Sequence, residues 1–91
     1  YIDEHLAGAK MSIGRYEMKN KNFIGAIDNF SHVINRYHYT NQAPEAYLRL
    51  VEIYYKIGLK KEAKQAYDAL KSSAPTSKWL ALANKIDSDL F

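Results

Sequence analysis

The chain has 91 residues, a mass of 10.5 kDa, no cysteine and a formal charge of +3. That length allows one small domain, which buries roughly 60–65% of the surface its unfolded form exposes. With 47% hydrophobic and 25% charged residues it falls in the globular range, and the missing cysteines exclude disulfides, thiolate metal sites and a cysteine nucleophile.

No apolar run approaches the ~20 residues of a membrane-spanning helix. The chain begins at Tyr1 and carries no signal-peptide pattern, so it is expected to be a piece of something longer. The pI is near 9.1. Its lysines are interleaved with acids, which favours solvated helix faces over a nucleic-acid footprint or an acidic partner, though both of these stay open.

Helical periodicity runs through the chain. Leu6, Ala9, Ile13 and Tyr16 recur at spacings of three and four. Phe23, Ala26, Ile27, Phe30, Val33, Ile34 and Tyr37 form one wide apolar face in the next segment. Tyr47, Leu50, Val51 and Tyr54 follow, then Ala63, Ala66, Tyr67 and Leu70, then Trp79, Leu82, Ala83, Ile86 and Leu90. No stretch alternates long enough to argue for a strand. The spacing predicts five helices, at about 3–20, 22–37, 43–57, 60–73 and 76–89.

The breaks have physical causes. Gly58 can take the left-handed conformation that ends a helix. Pro75 cannot continue one and pushes Ala74 out of helical geometry. Thr76 or Ser77 is a candidate N-cap for the last helix. Thr40 or Asn41 is a candidate cap for the third, with Pro44 tolerated in its first turn. Connections this short make neighbouring helices antiparallel hairpins.

The two hairpins repeat one unit. Ala26 and Phe30 align with Ala63 and Tyr67 at an offset of 37 residues, and Ile13 aligns with Leu50, leaving Gly14 opposite Val51. A period in this range means a helical solenoid. Residues 44–77 resemble a tetratricopeptide repeat: Tyr47, Leu50 and Tyr54 line the first helix, Ala63 sits at the crossing, and Tyr67 and Pro75 follow. The first unit fits at Gly14, Ala26 and Phe30, but has Lys10 where an aromatic is expected and His38 where proline is expected. The resemblance implies an all-α, right-handed stack of hairpins, with units at about 3–39 and 43–75 and a final helix at about 76–90.

The wording is also similar to the BamD family. It includes His5-Leu6-Ala7-Gly8, Ile13-Gly14-Arg15-Tyr16 and Asn22-Phe23-Ile24-Gly25-Ala26-Ile27. It continues with Pro44 through Glu52, Gly58-Leu59-Lys60-Lys61-Glu62-Ala63 and Pro75-Thr76-Ser77-Lys78-Trp79. These residues correspond to that family's C-terminal half. The resemblance implies a lipoprotein on the periplasmic side of the bacterial outer membrane, held there by a lipid anchor outside this chain. It implies docking onto the periplasmic domain of the barrel-forming subunit BamA. A basic residue expected near the middle of the second helix is missing from Asp28-Asn29-Phe30-Ser31-His32, and Arg36, one to two turns on, is the candidate substitute.

Catalysis finds no motif. His5, His32 and His38 form no HExxH pair, the glycines are isolated, and no GxSxG is present. Asp28 and His32 read as a surface helix pair, and His38 with Tyr37 and Tyr39 as the closure of the inter-repeat junction. Glu45–Arg49 and Glu52–Lys56 read as helix-supporting pairs. No enzyme activity, cofactor or metal is expected. Tyr16, Tyr47, Tyr54 and Tyr67 are accounted for by repeat packing, which leaves Tyr37, Tyr39 and Tyr55 for display.

The groove of such an array is lined by the first helix of each unit. The positions expected to face it are Met11, Arg15, Met18, Lys19, Leu48, Glu52, Tyr55 and Lys56, a set suited to a peptide segment of a partner. The alternative is packing against further helices of a longer protein. A second basic cluster, Lys60, Lys61, Lys64 and Lys71, lies on the fourth helix. Other functions in view are a different tetratricopeptide adaptor and a helical-repeat RNA binder. An array usually wants three or more repeats, so the first helix is expected to expose apolar surface and to promote self-association.

Overall fold

The computed structural model describes residues 2–86. Five helices and no strand occur among them: α1 (Ile2–Lys19), α2 (Phe23–Arg36), α3 (Ala43–Lys56), α4 (Lys60–Ser73) and α5 (Lys78–Ala83). Helices α1 and α2 form one hairpin, and α3 and α4 a second. Helix α2 packs on α3, and α5 lies against α3 and α4. The shortest dimension of the Cα envelope is 18 Å, which fits two helix layers of about 10 Å each.

Both hairpin turns use the same device. Lys21 N–H donates to the Met18 carbonyl at 3.0 Å and Asn22 N–H to the Glu17 carbonyl at 2.8 Å. In the second hairpin Gly58 N–H donates to the Tyr55 carbonyl at 3.2 Å and Leu59 N–H to the Tyr54 carbonyl at 2.8 Å. This pair of bonds closes a helix C-terminus around one left-handed residue. That residue is Gly58 (φ +86°) in one turn and Lys21 (φ +64°) in the other. The two stand 37 residues apart, the offset read from Ala26 and Ala63.

The core runs through Phe30, Val33, Leu48, Val51, Ile53, Ala63 and Leu70, all within 1% of full burial. Helix α1 contributes a different stripe from the expected one. Ala7, Met11 and Gly14 are buried, while Leu6, Ile13 and Tyr16 are 44%, 48% and 70% exposed. The cause is close approach. A Cβ on Gly14 would lie 2.7 Å from Cε1 of Phe30, so only a glycine lets α2 come this near. Leu6, Ile13 and Tyr16 are left outward, and with Ile2 they form the exposed apolar surface expected of this helix.

Caps differ in part from expectation. Ser77 caps α5 by accepting from Trp79 N–H at 3.0 Å, and Asn22 caps α2 by accepting from Gly25 N–H at 3.3 Å. Pro44 stands in the first turn of α3. Neither Thr40 nor Asn41 caps α3. Gln42 holds that position without a side-chain bond, and the Thr40 hydroxyl donates instead to the Tyr37 carbonyl at 2.7 Å. Helix α5 stops at Ala83, short of the expected 76–89, and a turn follows. Leu80 is buried in place of the expected Leu82, which is 45% exposed. Leu90 lies outside the described residues.

Candidate functional site

One cleft gathers several of the expected groove residues. It has a volume of about 370 Å³ and opens between the α1–α2 turn and α3. Arg15, Lys19, Lys21, Arg49 and Lys56 surround it, and Met18 and Phe23 supply its apolar wall. Helix α1 ends here, so Arg15, Met18 and Lys19 arrive from its last turns. Lys21 is presented by the left-handed turn residue, and Phe23 by the first position of α2.

The five cations are not equivalent. Arg15 Nη1 lies 3.0 and 3.1 Å from the two carboxylate oxygens of Glu45. Arg49 donates through Nε to Glu45 at 3.2 Å and through Nη1 to Glu52 at 2.9 Å. Burial works against the Arg49 charge, but Glu52 and Glu45 hold its pKa above the usual guanidinium range. Two carboxylates thus balance two guanidiniums. Lys19, Lys21 and Lys56 make no ion pair among the described residues. The Lys56 ammonium sits 5.9 Å from the Phe23 ring centroid, not on Glu52 as its i,i+4 spacing suggests. Glu52 is taken by Arg49, whose shorter reach at i,i+3 wins the carboxylate.

The other expected residues fall elsewhere. Met11 and Leu48 do not face the groove: they are 0% and 1% exposed. Met11 belongs to the α1 stripe that α2 covers. Leu48 lies on the central helix, which α2, α4 and α5 all pack against. Tyr55 is half-buried and is not part of the cleft wall. Arg36 is exposed at the last turn of α2, while Phe23 begins that helix, so the two stand about 20 Å apart at 1.5 Å rise per residue. Lys21, Phe23 and Arg49 line the cleft and were not foreseen there. Phe23 has a core-like helical phase, and Arg49 reads locally as a helix pair. Lys21 had one usable signal, its register with Gly58.

Contacts around the junction tie the loop after α2 back to α1. The Tyr39 hydroxyl donates to the Asp3 carboxylate, and Asn41 N–H donates to Glu4 at 2.8 Å. The bond to Asp3 raises the Tyr39 pKa above 10.0. His38 meets Tyr39 edge-on at 5.4 Å, and His32 packs on Tyr37 at 5.8 Å. In the fourth-helix cluster Lys64 pairs with Asp68 at 2.7 Å. Among the described residues no group of three or more His, Asp or Glu is placed to hold a metal ion, and no helix is long and apolar enough to cross a membrane.

Helix hairpins with matching turns, packed side by side, are a helical-repeat fold of the tetratricopeptide-like kind. The chain belongs to the YfiO family of outer membrane lipoproteins, whose family model matches residues 1–70. It is 42% identical over 85 residues to the outer membrane protein assembly factor BamD of Rickettsia prowazekii, covering 93% of this chain and 34% of that protein. It is 40% identical over 88 residues to the BamD of Caulobacter vibrioides, covering 97% of this chain and 29% of that one. The chain therefore spans about a third of the length of these curated relatives. No solved structure matches it significantly.

Proposed function

We propose that this chain is a protein-binding scaffold, part of the C-terminal half of a BamD-like component of the machinery that assembles outer-membrane β-barrels. It works on the periplasmic side of the outer membrane and docks onto the periplasmic domain of a BamA-like barrel subunit. It performs no chemistry itself. Two repeat-like units at about 3–39 and 43–75, followed by a final helix, form one rigid platform. The observation that carries this reading is the 42% identity to an assembly factor across 93% of the chain. The exposed cations Lys19, Arg36 and Lys56 support it, because they suit charge-steered encounter with a protein surface.

Photo-crosslinking in the full-length protein tests this in its own cell. A crosslinking side chain placed at Arg36, Tyr55 or Lys56 is expected to capture the barrel subunit. Capture of a cytosolic chaperone alone would favour a different tetratricopeptide adaptor. Capture of RNA alone would favour a nucleic-acid binder. Either outcome contradicts the proposal.

A further inference from the structure

We infer that the cleft between the α1–α2 turn and α3 binds an extended acidic segment of a partner protein, one that places an apolar side chain between Met18 and Phe23. This rests on the reading of the chain as a protein-binding scaffold and adds the chemistry of what is bound.

Charge comes first. Lys19, Lys21 and Lys56 border the cleft without a carboxylate partner among the described residues, while Arg15 and Arg49 behind them are balanced by Glu45 and Glu52. No acid lines the cleft itself. Three like charges converging on so small a space repel one another, and carboxylates arriving between them remove that repulsion.

The backbone gives a second, independent observation. Lys21 holds φ +64° at the position where the second hairpin has Gly58. A left-handed conformation costs a side-chain-bearing residue about 1–2 kcal/mol that glycine avoids. The first hairpin carries that cost, and a cation stands at the rim of the cleft as a result. Strain of this kind collects at sites that use it.

The wall sets the other half of the ligand. Met18 and Phe23 are half-buried and face the opening. Met adapts to varied apolar shapes. The same wall argues against RNA. Single-strand binding stacks successive bases on several aromatic faces, and Phe23 is the one aromatic side chain lining the cleft. The volume of about 370 Å³ matches one or two side chains, not a track along a strand.

Fluorescence anisotropy with a labelled peptide alternating Glu and Leu tests this on the 91-residue chain. Saturable binding is expected, weakening with salt and lost when Gln replaces Glu in the peptide. The double variant Lys19→Glu, Lys56→Glu changes two exposed side chains and is expected to weaken binding about tenfold or more. Lys71→Glu, an exposed lysine in the last turn of α4, makes the same kind of charge change at the opposite end of the hairpin from Lys56 and is expected to leave affinity within about twofold. Circular dichroism checks that each variant is folded. No saturable binding overturns the inference. So does equal weakening by Lys71→Glu, which means non-specific charge, or tighter binding of polyuridine or anionic vesicles than of the peptide. A parallel titration with the periplasmic domain of the barrel subunit separates the two readings. Peptide binding without domain binding sinks the docking proposal and leaves the cleft standing. Domain binding unaffected by the double variant, with no peptide binding, sinks the cleft alone.

Discussion

Arg15 of α1 reaches Glu45 of α3 across 30 residues of sequence, with both carboxylate oxygens within 3.1 Å of one guanidinium nitrogen. Glu45 also accepts from Arg49, so one carboxylate joins the two hairpins and balances two cleft cations. Its side chain is 12% exposed, far less than a surface ion pair. Removing it leaves Arg15 without a carboxylate beside Arg49, which keeps only Glu52. Glu45→Ala is expected to lower stability by about 2 kcal/mol, between the values for exposed and buried pairs. Thermal unfolding should show a fall of roughly 8–16 °C. An unchanged midpoint would mean the pair is solvated and idle.

Gly14 and Phe30 set how closely α1 and α2 approach. A Cβ at Gly14 would come within 2.7 to 3.0 Å of three ring carbons of a fully buried Phe30. Replacing a helical glycine normally gains up to about 1 kcal/mol of propensity. Overpacking a rigid core costs about 1–3 kcal/mol. Gly14→Val places the residue found at Val51 into the first hairpin and is expected to destabilise by about 2 kcal/mol net. Denaturant unfolding measures it, and a stabilised variant would show that the ring moves freely.

Lys21→Gly removes the left-handed strain of the first turn. The gain is tempered by the larger entropy of an unfolded glycine, so a stabilisation of about 0.5–1 kcal/mol is expected. The same variant is expected to bind the acidic peptide more weakly. A gain in stability with no loss of binding would separate Lys21 from the cleft's function.

Tyr39 anchors the junction loop to Asp3 at the start of α1. Its pKa is raised by that bond, so any stability it adds is present below the ordinary phenol value near 10.0 and is lost as pH climbs through the higher folded value. Ultraviolet titration should show a phenol ionising late in the folded chain and missing from Tyr39→Phe. Because Tyr39 is exposed, stability near neutral pH should change little. A large neutral-pH loss would point to packing instead.

Much of the fold was legible because its signals are local. The five periodic segments, Gly58, Pro44 and Ser77 each act within a few residues of themselves, and the offset of 37 residues joined the hairpins. The stripe on α1 was not legible. Its buried members Ala7 and Gly14 are small, and their value lies in admitting Phe30, which periodicity weighs lightly against Leu6 or Tyr16. Met11 and Leu48 were misplaced for a related reason: a groove-facing phase on one helix says nothing of which helices arrive to cover it. Arg15, Met18, Lys19 and Lys56 came together as expected. Arg49 was hidden, because its tertiary partnership through Glu45 looks from sequence like an ordinary i,i+4 pair.

Docking is the central claim, and calorimetric titration of the chain with the periplasmic domain of the barrel subunit from the same organism tests it most directly. The account predicts saturable binding that weakens as salt rises and weakens further in Arg36→Glu and Tyr55→Ala. No heat of binding from the unmutated, folded chain would contradict it.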